Sequence, residues 1–429
     1  MIQKLFLIIL LLIPGGVLSA SEEGPGSRTE QLEQQRLQKL QKIEPYRQTG
    51  LERDFLWVEQ NLDKLLHLNY KGFYPQAGSI STGSGISLGV RYWKPDLGDS
   101  SLDLQLSAAG SLHGYQEYAF QFGKIPQAEP GLLLESIRSE RIYQLGDIPI
   151  KQRGSFYYVD LRYRDFPQED FFGIGPQSRE EDRSNFRLKN TSYDAVIGYR
   201  FSRWLRVGTR LGFQQFDIGG GTDDRFPDTQ ALFNETSAPG LTEQPDFFLL
   251  RPFVLFDYRD VSGNPHKGGL VGFSFTRFDD VDKSQFDFNR FIFETRQFLP
   301  LFSRSQILAL RFFTSLSDAD KGSQVPFYLQ ETLGGGDTLR GFATFRFQDN
   351  DLLYLSAEYR FEAASALELA LFYDTGKVFP DRSDFNFKDL ENSYGFGIRI
   401  KAPSAVIFRF DVGHSGEGTE FHFKFGSSF

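Results

Sequence analysis

Cysteine is absent from this 429-residue chain, so no disulfide framework holds it together and no thiolate can act as nucleophile or metal ligand. Histidine occurs five times, scattered, which leaves no zinc-site spacing. Methionine occurs once, whereas a helix-rich core would draw on Leu, Ala and Met. After the first twenty residues no stretch approaches the roughly 20 apolar residues that a spanning helix needs. A formal charge of −9 gives no reason to expect nucleic-acid binding.

What is present begins with Met1-Ile-Gln-Lys4, an apolar run over 5–13 and Val17-Leu18-Ser19-Ala20. A charged start, an apolar stretch and small residues at a cleavage position predict a removed secretory signal over 1–20. Phe (46), Tyr (18) and Gly (42) are abundant, and aromatics make up 16% of the chain. Mean hydropathy is nevertheless polar, at −0.36. Aromatic and glycine richness with low hydropathy is the composition of a transmembrane β-barrel, in which every second strand residue faces lipid.

Residues 21–70 differ from the rest, with Gln, Glu, Lys and Leu at helical spacing and a stripe of Phe55, Val58, Leu62, Leu65 and Leu66. They predict a helical periplasmic linker, or a helix that docks on or enters the barrel. From Gly72 onward the period is two. Tyr157, Val159, Leu161 and Tyr163 alternate with Asp160, Arg162 and Arg164, while Val406, Phe408, Phe410 and Val412 oppose Arg409 and Asp411. Charges recurring in mid-strand imply a wet interior. The expected fold is all-β, an antiparallel transmembrane barrel over 71–429 with about 16 strands. The spans fall near 72–80, 85–94, 101–111, 115–123, 155–165, 186–201, 203–217, 245–259, 266–280, 284–299, 303–315, 352–361, 365–375, 392–401, 404–414 and 417–427. An even count puts both ends in the periplasm, with tight turns at Ser202, Leu301, Ala363 and Pro403 and long outer connections near 166–185, 218–244 and 316–351. The stretch 124–154 breaks the pattern: it is periplasmic by parity yet long, which leaves two missed strands or an insertion.

Between two alternating segments lies Leu333-Gly-Gly-Gly-Asp-Thr-Leu-Arg340-Gly-Phe342. Glycines allow positive φ and close packing, and an arginine fork there seeks a carboxylate. Leu353, Leu355, Ala357 and Tyr359 mark the lipid face of one following strand, and Leu367, Leu369, Leu371 and Tyr373 that of the next. Glu358 and Asp374 therefore point inward, where Arg340 can reach, with Asp374 ranked first.

Several elements together resemble the BamA/TamA superfamily, the bacterial surface antigen barrels of the outer membrane, over residues 72–429. Leu339-Arg340-Gly341-Phe342 resembles its loop signature, with five strands to follow. Asp257-Tyr-Arg259-Asp260, then Pro265 and Gly268, resembles its strand end, proline turn and glycine entry, and Phe172-Gly173-Ile-Gly175 a weaker recurrent element. Phe421, Phe423, Phe425 and the last residue Phe429 resemble the aromatic C-terminal signal by which such barrels are recognised for assembly. The resemblance implies that the loop arginine folds into the barrel onto acidic strand residues. It also implies a site in the outer membrane of a Gram-negative-type bacterium. Outer-membrane lipid, unfolded protein clients and the barrel assembly machinery, for its own insertion, are the partners implied. Relatives that assemble proteins carry periplasmic POTRA domains, and the ~50 residues before the barrel are too few for one beside a linker.

No chemistry of catalysis is legible. Gly85-Ile-Ser87-Leu-Gly89 matches a hydrolase elbow but lies within an alternating strand. Asp279-Asp-Val-Asp282 lacks the glycine and glutamate of a calcium loop, and no cofactor or metal is expected. The expected activity is insertion or translocation of polypeptides through a weakly paired seam between first and last strands. The alternatives are a passive pore or structural barrel, and a secretion barrel for one dedicated partner with the 50–67 helix as its plug.

Overall fold

The structure is a computed structural model describing residues 68–126, 133–134 and 154–426, apart from 283, 304, 403 and 404, with isolated helical positions at Gln34, Gln38, Gly50 and Asn61. The signal over 1–20, most of the 21–70 segment, the Pro403 turn and Phe429 lie outside the described residues. Residue contacts divide the chain into Met1–Gly50 and Leu51–Phe429, and the second unit carries the fold.

That unit is a ring of sixteen antiparallel strands. They are β1 (Phe73–Gly78), β2 (Ser87–Lys94), β3 (Asp103–Ser111), β4 (Gln116–Lys124), β5 (Gly154–Phe171), β6 (Ser184–Arg200), β7 (Leu205–Gly220) and β8 (Phe247–Asp257). Then follow β9 (Gly268–Asp280), β10 (Phe288–Pro300), β11 (Gln306–Ala319), β12 (Asp351–Ala364), β13 (Leu367–Phe379), β14 (Glu391–Lys401), β15 (Val406–His414) and β16 (Thr419–Phe425). All sixteen spans read from the two-residue period coincide with a strand, because that period reports a surface wet on one side and apolar on the other.

The barrel is inverted relative to a soluble sandwich. On β13, Leu369, Leu371 and Tyr373 are exposed on the lipid face, whereas Glu368 and Asp374 on the lumenal face are fully buried. On β8, Phe248, Leu250, Val254 and Phe256 face out and Arg251 is buried within. Apolar groups meet acyl chains and charged groups are kept to the lumenal side, away from hydrocarbon.

Strand ends shift by a few residues throughout, and two of the shifts have a local cause. β5 continues to Phe171, with a register shift between Phe166 and Glu169. Pro167 and the acids after it read as loop, but a bulge accommodates proline within a strand. The β12–β13 turn falls at 365–366 and not Ala363, because a register shift between Glu362 and Ala364 lengthens β12.

The long 124–154 connection is an insertion. β4 pairs directly with β5 from Gln116↔Asp165 to Lys124↔Tyr157, leaving no place for strands between them. Within it, Leu133–Leu134 pair in parallel with Ala77 and Gly78 of β1. Those two residues also pair with Leu88 and Ser87 of β2. One strand has two hydrogen-bonding edges, so Leu133–Leu134 occupies the edge of β1 that faces away from β2.

That edge is the seam. Fifteen antiparallel ladders join consecutive strands from β1 to β16, and among the described residues no ladder joins β16 back to β1. The barrel is nearly closed.

At the outer end the long connections interlock. Phe171, Phe186, Ala238, Leu241 and Phe327 share one buried cluster, the Gly175 amide donates to the Gln348 carbonyl (2.8 Å) and the Phe327 amide to the Pro239 carbonyl (2.7 Å).

Candidate functional site

The connection between β11 and β12 folds back into the lumen. It opens with a small hairpin in which Glu331–Leu333 pairs with Phe347–Asp349. Gly334 (φ 113°) and Gly335 (φ 86°) then take left-handed conformations that a side chain would resist, and an added Cβ on Gly334 would lie 2.2 Å from the Ala343 carbonyl oxygen. Leu339, Phe342 and Phe347 pack against Leu255, Leu270, Ile292 and Phe313 on β8 to β11, which presses the loop across the interior. Burying this apolar face presents Arg340 to the opposite wall.

Arg340 is 1% exposed, so every donor needs a partner. Its Nε and Nη2 donate to the two carboxylate oxygens of Asp374, each at 2.8 Å, as a bidentate fork. Its Nη1 donates to Glu358 Oε2 at 2.6 Å. The Phe372 ring centroid lies 3.5 Å from the guanidinium carbon, a cation–π contact on the remaining face. The backbone is fixed as well: His422 Nε2 lies 2.9 Å from the Arg340 carbonyl oxygen, and Ser415 Oγ donates to the Gly341 carbonyl at 2.6 Å. Gly341 lies so close to β15 that an added Cβ would meet the His414 carbonyl carbon at 2.6 Å.

Around this pair lies a charge lattice of which the sequence motifs named only part. Glu358 also accepts from Arg360 Nε (2.7 Å) and Arg399 Nη2 (2.9 Å). Arg399 Nη1 reaches Asp411 (2.7 Å), Asp411 accepts from Arg409 (3.0 Å), and Arg409 donates back to the loop at the Gly336 carbonyl (2.7 Å). Arg340, Arg360, Arg399 and Arg409 thus alternate with Asp374, Glu358, Asp411 and the loop's own Asp337. Arg409 and Asp411 were legible as inward residues, but their partners depend on register across three strands.

The second motif lies at the periplasmic end. Asp257 accepts a fork from Arg259 Nε and Nη2, both at 2.9 Å, while Arg259 Nη1 donates to the Ser262 carbonyl (3.1 Å). Asp260 Oδ1 accepts the amides of Val261, His266 and Lys267, closing the turn around buried Pro265. The turn reaches across to the start of β15, where the Val406 amide donates to the Gly263 carbonyl at 3.1 Å. His266 Nε2 lies 2.7 Å from Glu362 Oε1, and Lys401 bonds the same carboxylate. Gly268 (φ 95°) enters β9, where an added Cβ would lie 2.2 Å from the Tyr258 carbonyl oxygen. Gly268→Ala is expected to cost about 1–3 kcal/mol through this clash. Urea titration of the folded band on unheated gels checks it, and an unchanged midpoint contradicts the reading.

Phe172 is buried beneath Arg346, whose Nη2 donates to the Ser178 carbonyl (2.7 Å) and whose guanidinium also pairs with Glu417. The Phe172-Gly173-Ile-Gly175 element is therefore a dock for the inner loop. Phe421 and Phe423 lie on the lipid face of β16, 66% and 54% exposed. Ser87 begins β2 and its Oγ accepts the Ile80 amide (3.2 Å), so the hydrolase-like pattern is part of a ladder. No group of three or more potential metal ligands occurs among the described residues.

A family model for the Omp85 superfamily domain matches residues 142–429, more than half of the chain. The chain belongs to the Omp85 superfamily. Among solved structures it is similar to BamA from Haemophilus ducreyi lacking POTRA domains 1–3, at 14% identity and a TM-score of 0.57, covering 84% of this chain and 70% of that one. It is also similar to CdiB from Escherichia coli, at 12% identity and a TM-score of 0.52, covering 84% of this chain and 63% of that one. At such identities the likeness is one of fold. A search of curated protein sequences gives no match. Omp85 membership and the BamA-like barrel make this an outer-membrane protein of a Gram-negative-type cell.

Proposed function

We propose that this Omp85 barrel inserts or translocates polypeptides at the outer membrane through the β1–β16 seam, with the Arg340 loop as an internal brace and no catalytic chemistry. The observation that carries the reading is the seam itself. Among the described residues fifteen junctions of the ring are laddered and one is not, while the seam edge of β1 accepts strand pairing from Leu133–Leu134. An edge that binds one extended segment is suited to bind another. β1 is also short and carries Pro75, which lacks an amide donor.

The brace gives the reading its mechanism. β12 to β15 are held to the loop by the buried charge lattice, so that wall stays rigid while β1, whose seam edge carries only the two-residue pairing with Leu133–Leu134 among the described residues, yields. Polypeptide clients and surrounding lipid are then the partners. The helical plug belongs to the alternative of a dedicated secretion barrel, and apart from Gly50 and Asn61 its residues lie outside the described ones.

The interlocked outer connections weigh against a passive pore. Reconstituted full-length protein is expected to accelerate insertion of a reporter barrel into vesicles and to give no steady large conductance in planar bilayers. Steady large conductance without insertion would overturn the proposal in favour of a pore.

A further inference from the structure

The glycine run of the inner loop touches both sides of the seam. Gly335 lies against the β1–β2 connection, where its added Cβ would meet Thr82 Cγ2 at 3.3 Å. Gly336 lies against β16, where its added Cβ would meet Lys424 Cδ at 2.9 Å and His422 Cβ at 3.2 Å. The next residue, Asp337, joins the two. Thr82 Oγ1 donates to Asp337 Oδ2 at 2.7 Å, Lys424 Nζ donates to Thr82 Oγ1 at 3.0 Å, and Lys424 Nζ also bonds Asp337 Oδ2. The other oxygen, Oδ1, accepts from Arg409 Nη2 at 2.9 Å, and the Asp337 carbonyl accepts from Arg311 Nη1 at 3.1 Å.

We infer that Asp337 is the hub of a latch across the seam, tying the β1–β2 connection to β16 through Thr82 and Lys424. Its part in client passage rests on the seam reading above. β1 and β16 share no ladder among the described residues, so this triangle of side chains is a link between the two sides of the seam that does not depend on backbone pairing. A backbone ladder opens only by cooperative loss of many bonds, whereas one lysine movement releases both bonds that tie β16 into the triangle. The Asp337 side chain is 24% exposed, against 0% for Glu358 and Asp374. Partial hydration weakens an ion pair, so the latch is a breakable contact and the Arg340 pair a permanent one. The division follows the loop: Arg340 grips the rigid wall and Asp337, three residues earlier, holds the yielding one.

The test is hydrogen–deuterium exchange on the full chain in lipid nanodiscs, comparing wild type with Lys424→Met and Thr82→Val. Lys424→Met is expected to speed amide exchange in Phe73–Gly78 and Thr419–Phe425 about tenfold, with Thr82→Val at about threefold and β5–β6 unchanged. Lys189→Met, which removes the exposed pair with Asp217, serves as the control and leaves the seam strands unchanged. Unchanged seam exchange in Thr82→Val, or an equal rise in every strand, overturns the latch. Thr82→Val removes one hydroxyl, so the test still decides where Lys424→Met fails to assemble. Reporter insertion is read in parallel. A loosened seam without insertion keeps the latch and sinks the proposed activity, while insertion with an unmoved seam sinks the latch alone.

Discussion

Replacing Arg340 by methionine is expected to lower the stability of the folded barrel by about 3–5 kcal/mol, the cost of stranding a buried carboxylate. The side chain is volume-matched, so the effect isolates charge and hydrogen bonding. Asp374 loses a bidentate fork and Glu358 one bond of 2.6 Å, both at fully buried positions. Arg340→Lys keeps the charge but not the planar fork, and is expected to recover less than half of the loss. The two acids differ in what they strand. Asp374→Asn leaves Arg340 with Glu358, whereas Glu358→Gln weakens Arg340, Arg360 and Arg399 together and is expected to cost more. Combining Arg340→Met with Asp374→Asn neutralises both ends of the pair and is expected to restore part of the stability. Urea titrations of the folded band measure each of these variants. A loss below about 1 kcal/mol for Arg340→Met would mean a solvated pair and no brace.

The two halves of this site were unequally legible in the sequence. Strand positions and face parity follow from local alternation, which is why Glu358 and Asp374 could be placed inward from Leu353 to Tyr359 and Leu367 to Tyr373 alone. The pairing of Arg399 with both Asp411 and Glu358 is set by register across β12, β14 and β15, and period-two patterns leave register open. Asp337 was visible within the glycine run but carried no signal as a site. Its partners lie 255 residues before it and 87 after, joined only because ring closure brings β1 near β16. The boundary differences have local causes too: Pro167 hid the end of β5 within a bulge. The 124–154 stretch resisted assignment because an edge contact of two residues, Leu133–Leu134, leaves no periodic trace.

The second large effect concerns activity. If polypeptides pass through the seam, tying its two sides together must abolish passage while leaving the barrel folded. The chain has no cysteine, so introduced thiols are unambiguous. Thr82 and Lys424 touch across the seam, Nζ to Oγ1 at 3.0 Å, so a short reducible bis-thiol linker will span cysteines at these positions. The tether replaces a releasable contact by a covalent one, and ladders elsewhere are untouched. Without linker, the Thr82→Cys/Lys424→Cys protein lacks its latch and is expected to insert at least as fast as wild type.

The measurement is the rate of reporter-barrel insertion by that double variant in vesicles, before linking, after linking and after reductive release. Activity is expected before linking, loss of more than about 90% of it after linking, and recovery on release. Insertion at an undiminished rate through a fully linked seam would contradict this expectation.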